Sequence, residues 1–231
     1  VITALGYEQV NLWGGSYGTR AAMSFMRRHP EQVRTVTLEG VAPHDAKVPL
    51  SFAADAQDAL DAWLRVCRDD AACDAAFPDL VADLDQVLNQ VAVSPQSVTV
   101  EDPRNKEEVI LSLSHHVVIQ TLRYMLYVPN SVVRMPAFVH AAAEGNWQPL
   151  GQAAFFIGQS LLAGIPDGLY LSVTCTEDVA RIGPNGAALQ RGFMGDFRLR
   201  QQQEACKDWP QGELPKDCLL YTSPSPRDPS I

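Results

Sequence analysis

The sequence predicts an α/β fold, in which a parallel sheet carries a large helical insertion. Residues 8–14 and Val33–Glu39 are each predicted as a strand, and a helical pattern lies between them. From about residue 50 to 165 the pattern changes, and apolar residues recur at helical spacing. Together these observations predict a βαβ unit followed by an inserted helical region.

The length and composition limit the domain organisation and the classes of partner that the protein could have. A chain of 231 residues is long enough for one α/β domain or for a core with an inserted subdomain. A net charge of −9 without a basic stripe argues against a nucleic-acid partner. No apolar stretch approaches the roughly 20 residues needed to span a bilayer. Because Val1 is not a start residue and residues 1–6 look like the end of a helix, we expect that the natural N-terminus is missing.

The stretch from Gly14 to Gly18 fits G-x-S-x-G, the nucleophile elbow of α/β-hydrolases. Ser16 is expected to adopt a sparsely allowed backbone conformation that lifts its Oγ clear of the sheet, at a cost of about 1–3 kcal/mol. Gly14 and Gly18 are expected where strand and helix pass so closely that side chains would collide. The backbone N–H of Tyr17 is the expected donor to an oxyanion.

The sequence pattern divides the whole chain into four predicted parts. We expect an α/β-hydrolase core fragment at 1–48, a helical lid at 49–166, a return strand and helix at 167–217, and a tail at 218–231. The lid is predicted to contain a small hairpin formed by Val98–Val100 and Val109–Leu111. In the third part, Leu169–Cys175 is predicted as the strand and residues 187–208 as the helix.

Three motifs of the core fragment carry a resemblance to a known family: Trp13–Arg20, His29–Val33 and Leu38–Pro43. The chain resembles the serine aminopeptidases of the α/β-hydrolase fold, the group of proline iminopeptidase and tripeptidyl aminopeptidase. Three further stretches are similar to secreted bacterial members of the tripeptidyl type: Cys67–Pro78, Leu169–Asp178 and Gly195–Cys206. The resemblance covers residues 1–217.

The resemblance implies an enzyme that releases short N-terminal peptides, or proline, through an acyl-enzyme on Ser16. The Tyr17 N–H would be one oxyanion donor, a second would precede Val1, and the substrate would be a small peptide. No cofactor is implied. Rival interpretations are an esterase or lactonase on the same fold, or a non-catalytic binding protein, because fold alone does not select the substrate.

The triad partners should follow the serine in the order Asp or Glu, then His. All histidines of the chain precede Asp178: His29, His44, His115, His116 and His140. We therefore expect the acid and the histidine of the triad to lie beyond residue 217, and this chain alone to be inactive. Residues 218–231 resemble the in-frame translation of a transposon adapter used in sequencing libraries; the alternative is a natural Pro/Ser-rich tail.

The cysteines are relevant to whether the protein works in an oxidising or a reducing compartment. Cys67 and Cys73 bracket a tight turn, and Cys175 and Cys206 could form a second pair. The resemblance favours two disulfides, Cys67–Cys73 and Cys175–Cys206, and a secreted or periplasmic bacterial protein. Four buried thiols in a cytoplasmic enzyme are the alternative. No metal site is expected, since neither C-x-x-C nor H-x-x-x-H spacing occurs.

An aminopeptidase also needs a carboxylate to hold the cationic α-amine of its substrate. Glu177 and Asp178 follow the predicted return strand, and Glu177 is the first candidate. An acid on a surface loop is the alternative for this residue, because acidic side chains are mostly exposed.

Overall fold

A computed structural model describes residues 1–183, 186 and 190–214 of the chain. The tail expected at 218–231 lies outside these described residues, as does the part of the predicted 187–208 helix at 187–189. The predicted start of that helix is wrong, because the helix begins only at Phe197 and both Gly192 and Gly195 have positive φ. Within the described ranges, no helix combines the length and hydropathy that crossing a bilayer requires.

The N-terminal unit is a βαβ arrangement. Strand β1 (Val10–Gly15) leads into helix α1 (Tyr17–Arg28), and β2 (Val33–Glu39) returns to pair with β1 in parallel. Short 3-10 turns at Thr3–Leu5 and Pro30–Gln32 precede the two strands. The predicted strands and their parallel pairing are confirmed, and the sheet has two strands in the described part of the chain.

The region after β2 is mainly helical. Its elements are α2 (Phe52–Asp69), α3 (Ala71–Ala76), α4 (Leu80–Val93), β3 (Gln96–Glu101), β4 (Glu108–Leu113), α5 (His115–Met125), α6 (Pro129–Val132), α7 (Met135–Ala143) and α8 (Gln148–Gly164). Strands β3 and β4 pair antiparallel, which confirms the predicted hairpin. The interpretation of this region as a lid over Ser16 stays a prediction.

The main hydrophobic core lies inside this helical region. Apolar side chains at helical spacing on α2, α4, α5, α7 and α8 pack against the inner face of the hairpin. Its fully buried members include Val87, Val100, Leu113, Val118, Leu122, Met135, Val139 and Leu150. Burying each large side chain of this kind stabilises the fold by about 1.5–3 kcal/mol. The disulfide between Cys67 and Cys73 joins α2 to α3.

The predicted strand at Leu169–Cys175 is wrong, because these residues belong to helix α9 (Asp167–Glu177). Tyr170, Val173 and Thr174 are residue types that favour a strand, but the helix forms directly after Pro166. The hydroxyls of Ser172 and Thr174 donate to the carbonyl oxygens of the preceding turn. A disulfide joins Cys175 to Cys206 of helix α10 (Phe197–Asp208), so packing against α10 overrides the local preference.

A histidine–aspartate pair joins two helices of the region and makes stability depend on pH. His140 Nδ1 lies 2.7 Å from Asp83 Oδ2, and His140 Nε2 lies 3.7 Å from Glu144 Oε1. The hydrogen bond to Asp83, and secondarily the charges of Asp83, Glu144 and Asp79, raise the pKa of His140 above 6.5.

We expect this pair to stabilise the protein below about pH 6.5, the unfolded-state pKa of histidine. The contribution is lost as the pH rises through the higher pKa of His140 in the folded state. His140→Gln and Asp83→Asn should each reduce the difference between the urea midpoints at pH 5.5 and pH 8.5. A difference unchanged in both variants would contradict a role for the pair.

Candidate active site

Ser16 lies at the sharp turn between β1 and α1. Its backbone has φ 51° and ψ −121°, and Lys106 is the only other non-glycine residue with positive φ among the described residues. The Ser16 N–H donates to the Glu39 carbonyl at the end of β2 (3.0 Å), and the Ser16 carbonyl accepts from the Thr19 N–H (3.0 Å). These bonds hold Ser16 in the strained conformation that the G-x-S-x-G pattern predicts.

Of the two glycines of the motif, only one lacks the space for a side chain. A Cβ on Gly14 would lie 2.7 Å from the Gly18 carbonyl carbon and still closer to its oxygen. A Cβ on Gly18 would meet no atom within 4 Å. The expected collision is therefore confirmed at Gly14 and wrong at Gly18. The side-chain position of Gly14 points at the helix backbone at Gly18, whereas the side-chain position of Gly18 points into open space.

Thr19 connects the turn to the loop after β2, a role that the sequence pattern did not predict. Its side chain is buried; the hydroxyl donates to the Ser16 carbonyl (2.6 Å) and accepts from the Ala42 N–H (2.9 Å). A small hydroxyl residue directly after the G-x-S-x-G pattern is the signal that could have identified it.

Arg20, the next residue, is a buried cation on α1 that reaches the end of α9. Its Nη1 donates to Asp178 Oδ1 (3.0 Å) and to Glu177 Oε2 (3.2 Å). Its Nε and Nη2 donate to the carbonyl oxygens of Pro43 and Ala46, at 3.2 and 3.3 Å. Arg20 thus joins the helix that carries the candidate nucleophile to the loop after β2 and to two carboxylates.

Asp178 is the more deeply buried of these carboxylates. Burial raises its pKa, while the Arg20 and Arg181 guanidinium groups act in the opposite direction. Arg181 also donates to the carbonyl oxygens of His44, Asp45 and Ala46, and so holds the same loop from the other side. Burial, followed by the charge of Arg20, lowers the pKa of His44, which favours its neutral form.

Glu177 lies beside the residue that follows the candidate nucleophile. The Tyr17 hydroxyl donates to Glu177 Oε1 (3.0 Å), while Glu177 Oε2 accepts from Arg20. Its side chain is 24% exposed, whereas that of Asp178 is 1% exposed. The fold therefore brings Glu177 to the elbow, and a ligand could reach its carboxylate but not that of Asp178.

No hydrogen bond joins a histidine to the Ser16 hydroxyl in the described part of the chain. His140 pairs with Asp83, His116 stacks on Phe197, and His29 packs on Phe25. In the same described ranges, no group of three His, Cys, Asp or Glu side chains is arranged to hold a metal ion.

Comparison with known proteins supports the fold of the N-terminal part. Residues 1–65 match the model of a protein family. That family is the alpha/beta hydrolase fold. The matched residues include both strands of the parallel sheet, Ser16 and most of α2. No curated protein matches the chain. The match indicates a hydrolase in general terms.

Alanine substitution of the two glycines tests the close approach at the turn. Gly14→Ala forces a Cβ against the Gly18 carbonyl, and overpacking of this kind typically costs about 1–3 kcal/mol. The matched control Gly18→Ala adds a methyl group in open space on a helix, so it should be neutral or stabilising by up to about 1 kcal/mol. Urea unfolding of both variants measures the difference; equal effects would contradict it.

Proposed function

We propose that the protein is a serine hydrolase and that Ser16 is its nucleophile. The observation that carries this proposal is the strained backbone of Ser16 at the junction of β1 and α1. Strain of about 1–3 kcal/mol at an exposed turn is typical of residues held in position for a function. Because Ser16 directly precedes α1, the positive end of the helix dipole favours the negative charge that develops during attack on a carbonyl.

The reaction would proceed through an acyl-enzyme. Ser16 Oγ forms a bond to the carbonyl carbon while a general base takes its proton, and the leaving group departs with a proton from the same residue. Water then releases the acyl group by the same steps in reverse order. We propose that the Tyr17 N–H is one oxyanion donor.

A fluorophosphonate probe tests this assignment in the full-length protein. The probe should label Ser16, and Ser16→Ala should abolish labelling and lower kcat/KM by about 10⁴-fold or more. Ser24→Ala, on the helix that follows Ser16, is the matched control and should label normally. Labelling of another residue would contradict the proposal, and absence of any labelling would favour a non-catalytic binding protein.

We further propose an aminopeptidase that acts on small peptides, with Glu177 holding the substrate α-ammonium group. The location of Glu177 against Tyr17 supports this role, as does its greater exposure compared with Asp178. Arg20 is shared between both carboxylates, so Glu177 retains electrostatic attraction for a second cation.

Glu177→Gln separates the aminopeptidase from an esterase or lactonase. The variant keeps an oxygen that accepts from Tyr17, and Arg20 keeps Asp178 as partner, so the fold should be preserved. Loss of a charged hydrogen bond should raise KM about 10- to 100-fold for peptides with a free N-terminus. N-blocked esters are the matched control substrates and should be unaffected. Equal effects on both substrates would contradict amine binding.

We also propose that the protein works in an oxidising compartment, either secreted or periplasmic in a bacterium. The pairing of Cys67 with Cys73 and of Cys175 with Cys206 supports this location, because disulfides persist in such compartments.

A further inference from the structure

Arg123 of α5 is a buried cation without a carboxylate partner among the described residues. Its relative exposure is 6%, and its hydrogen bond runs from Nη2 to the Tyr127 hydroxyl (2.8 Å). Arg20, which is buried to a similar degree, has two carboxylates and two carbonyl oxygens as acceptors. Buried charges are normally paired, so the surroundings of Arg123 call for a further acceptor.

Three aromatic rings surround the Arg123 guanidinium group. Its Cζ lies 4.2 Å from the ring centre of Phe52, 5.2 Å from that of Tyr124 and 5.0 Å from that of Tyr127. Cation–π contacts of this kind stabilise the charge but leave the in-plane N–H donors unused. The aromatic residues therefore hold the guanidinium in place and leave its Nε and Nη1 without acceptors.

The unused N–H groups of Arg123 are not completely buried. In the described part of the chain, Gln120 Oε1 is the one fully buried side-chain polar atom without a hydrogen-bond partner. Nε and Nη1 of Arg123 are therefore not sealed inside the protein. Tyr127, whose hydroxyl accepts from Arg123, is itself 66% exposed. Arg123 and Tyr124 follow Gln120 at spacings of three and four, so they share one face of α5, and Tyr127 lies in the turn just after the helix.

A second arginine adds positive charge next to this face. Arg198 Nη2 donates to the Tyr170 hydroxyl (2.8 Å), and no carboxylate of the described residues pairs with Arg198. Phe197, which precedes Arg198 in the chain, stacks on His116 of α5, so Arg198 also lies close to α5. Its charge favours an anion in the same region.

We propose that Arg123 binds a carboxylate group of a small ligand. One Nη2 hydrogen is used by Tyr127, and the other lies parallel to the N–H of either Nε or Nη1. The planar group therefore still presents one pair of parallel donors that matches the two oxygens of a carboxylate, while Phe52 packs against the group. The choice of a peptide carboxylate rests on the proposed hydrolase function. The binding experiment is done in the Ser16→Ala background, so its result is independent of labelling at Ser16.

Isothermal titration of the Ser16→Ala protein with three peptides tests the site. The probes are N-acetyl-trialanine as free acid, the same peptide as C-terminal amide, and N-acetyl-Ala-Ala-Asp-amide. The free acid should bind at least about tenfold more tightly than its amide, the discrimination expected for a charged hydrogen bond. Tight binding of the aspartyl peptide would assign the site to side-chain carboxylates as well as C-terminal ones.

Substitutions of Arg123 then test whether this residue binds the peptide carboxylate. Arg123→Gln should abolish the difference between acid and amide, and Arg123→Lys should restore only part of it, because lysine keeps the charge without the planar donors. Arg68→Gln, an exposed arginine on α2, is the matched control and should leave the difference intact. Equal binding of acid and amide by the parent protein would overturn the proposal, even if the Arg123 variants fail to fold. A difference that survives in Arg123→Gln would also overturn it.

Discussion

The buried ion pair between Arg20 and Asp178 is the contact on which the candidate site depends. It joins the helix behind Ser16 to the end of α9, which lies 158 positions further along the chain. Removing one partner of such a pair leaves an uncompensated buried charge and typically costs about 3–5 kcal/mol. Arg20 and Arg181 also donate to carbonyl oxygens of the loop after β2, so one cluster of charges fixes three separate segments.

This cluster explains how a two-stranded sheet can hold a strained serine. The hydrophobic core of the chain lies mainly in the helical region, and few side chains of β1, α1 and β2 are fully buried. The Ser16 turn is held instead by polar contacts. These are the bond to Glu39 at the end of β2, the Thr19 hydroxyl and the charged cluster.

The parts of the fold that local patterns determine were predictable. A strand, a glycine-flanked serine and a helix follow from residues within a few positions of one another, and so does the β3–β4 hairpin. Helix α9 was not predictable in this way, because packing and a disulfide to α10 override its strand-like composition. The pairing of Arg20 with Asp178 was also beyond local patterns. Glu177 was predicted as a candidate from its type and place in the chain, but its contact with Tyr17 required the structure.

The disulfide between Cys175 and Cys206 has a consequence for the order in which the site is assembled. Cys175 precedes Glu177 by two residues, and its partner lies 31 residues further along the chain. Once the bond forms, the last turn of α9 can no longer swing away from α10, so the two carboxylates meet Arg20 from a fixed direction. A newly made chain with free thiols would have to hold that turn against α10 by helix packing and by the hydrogen bond from Gln202 to Thr174.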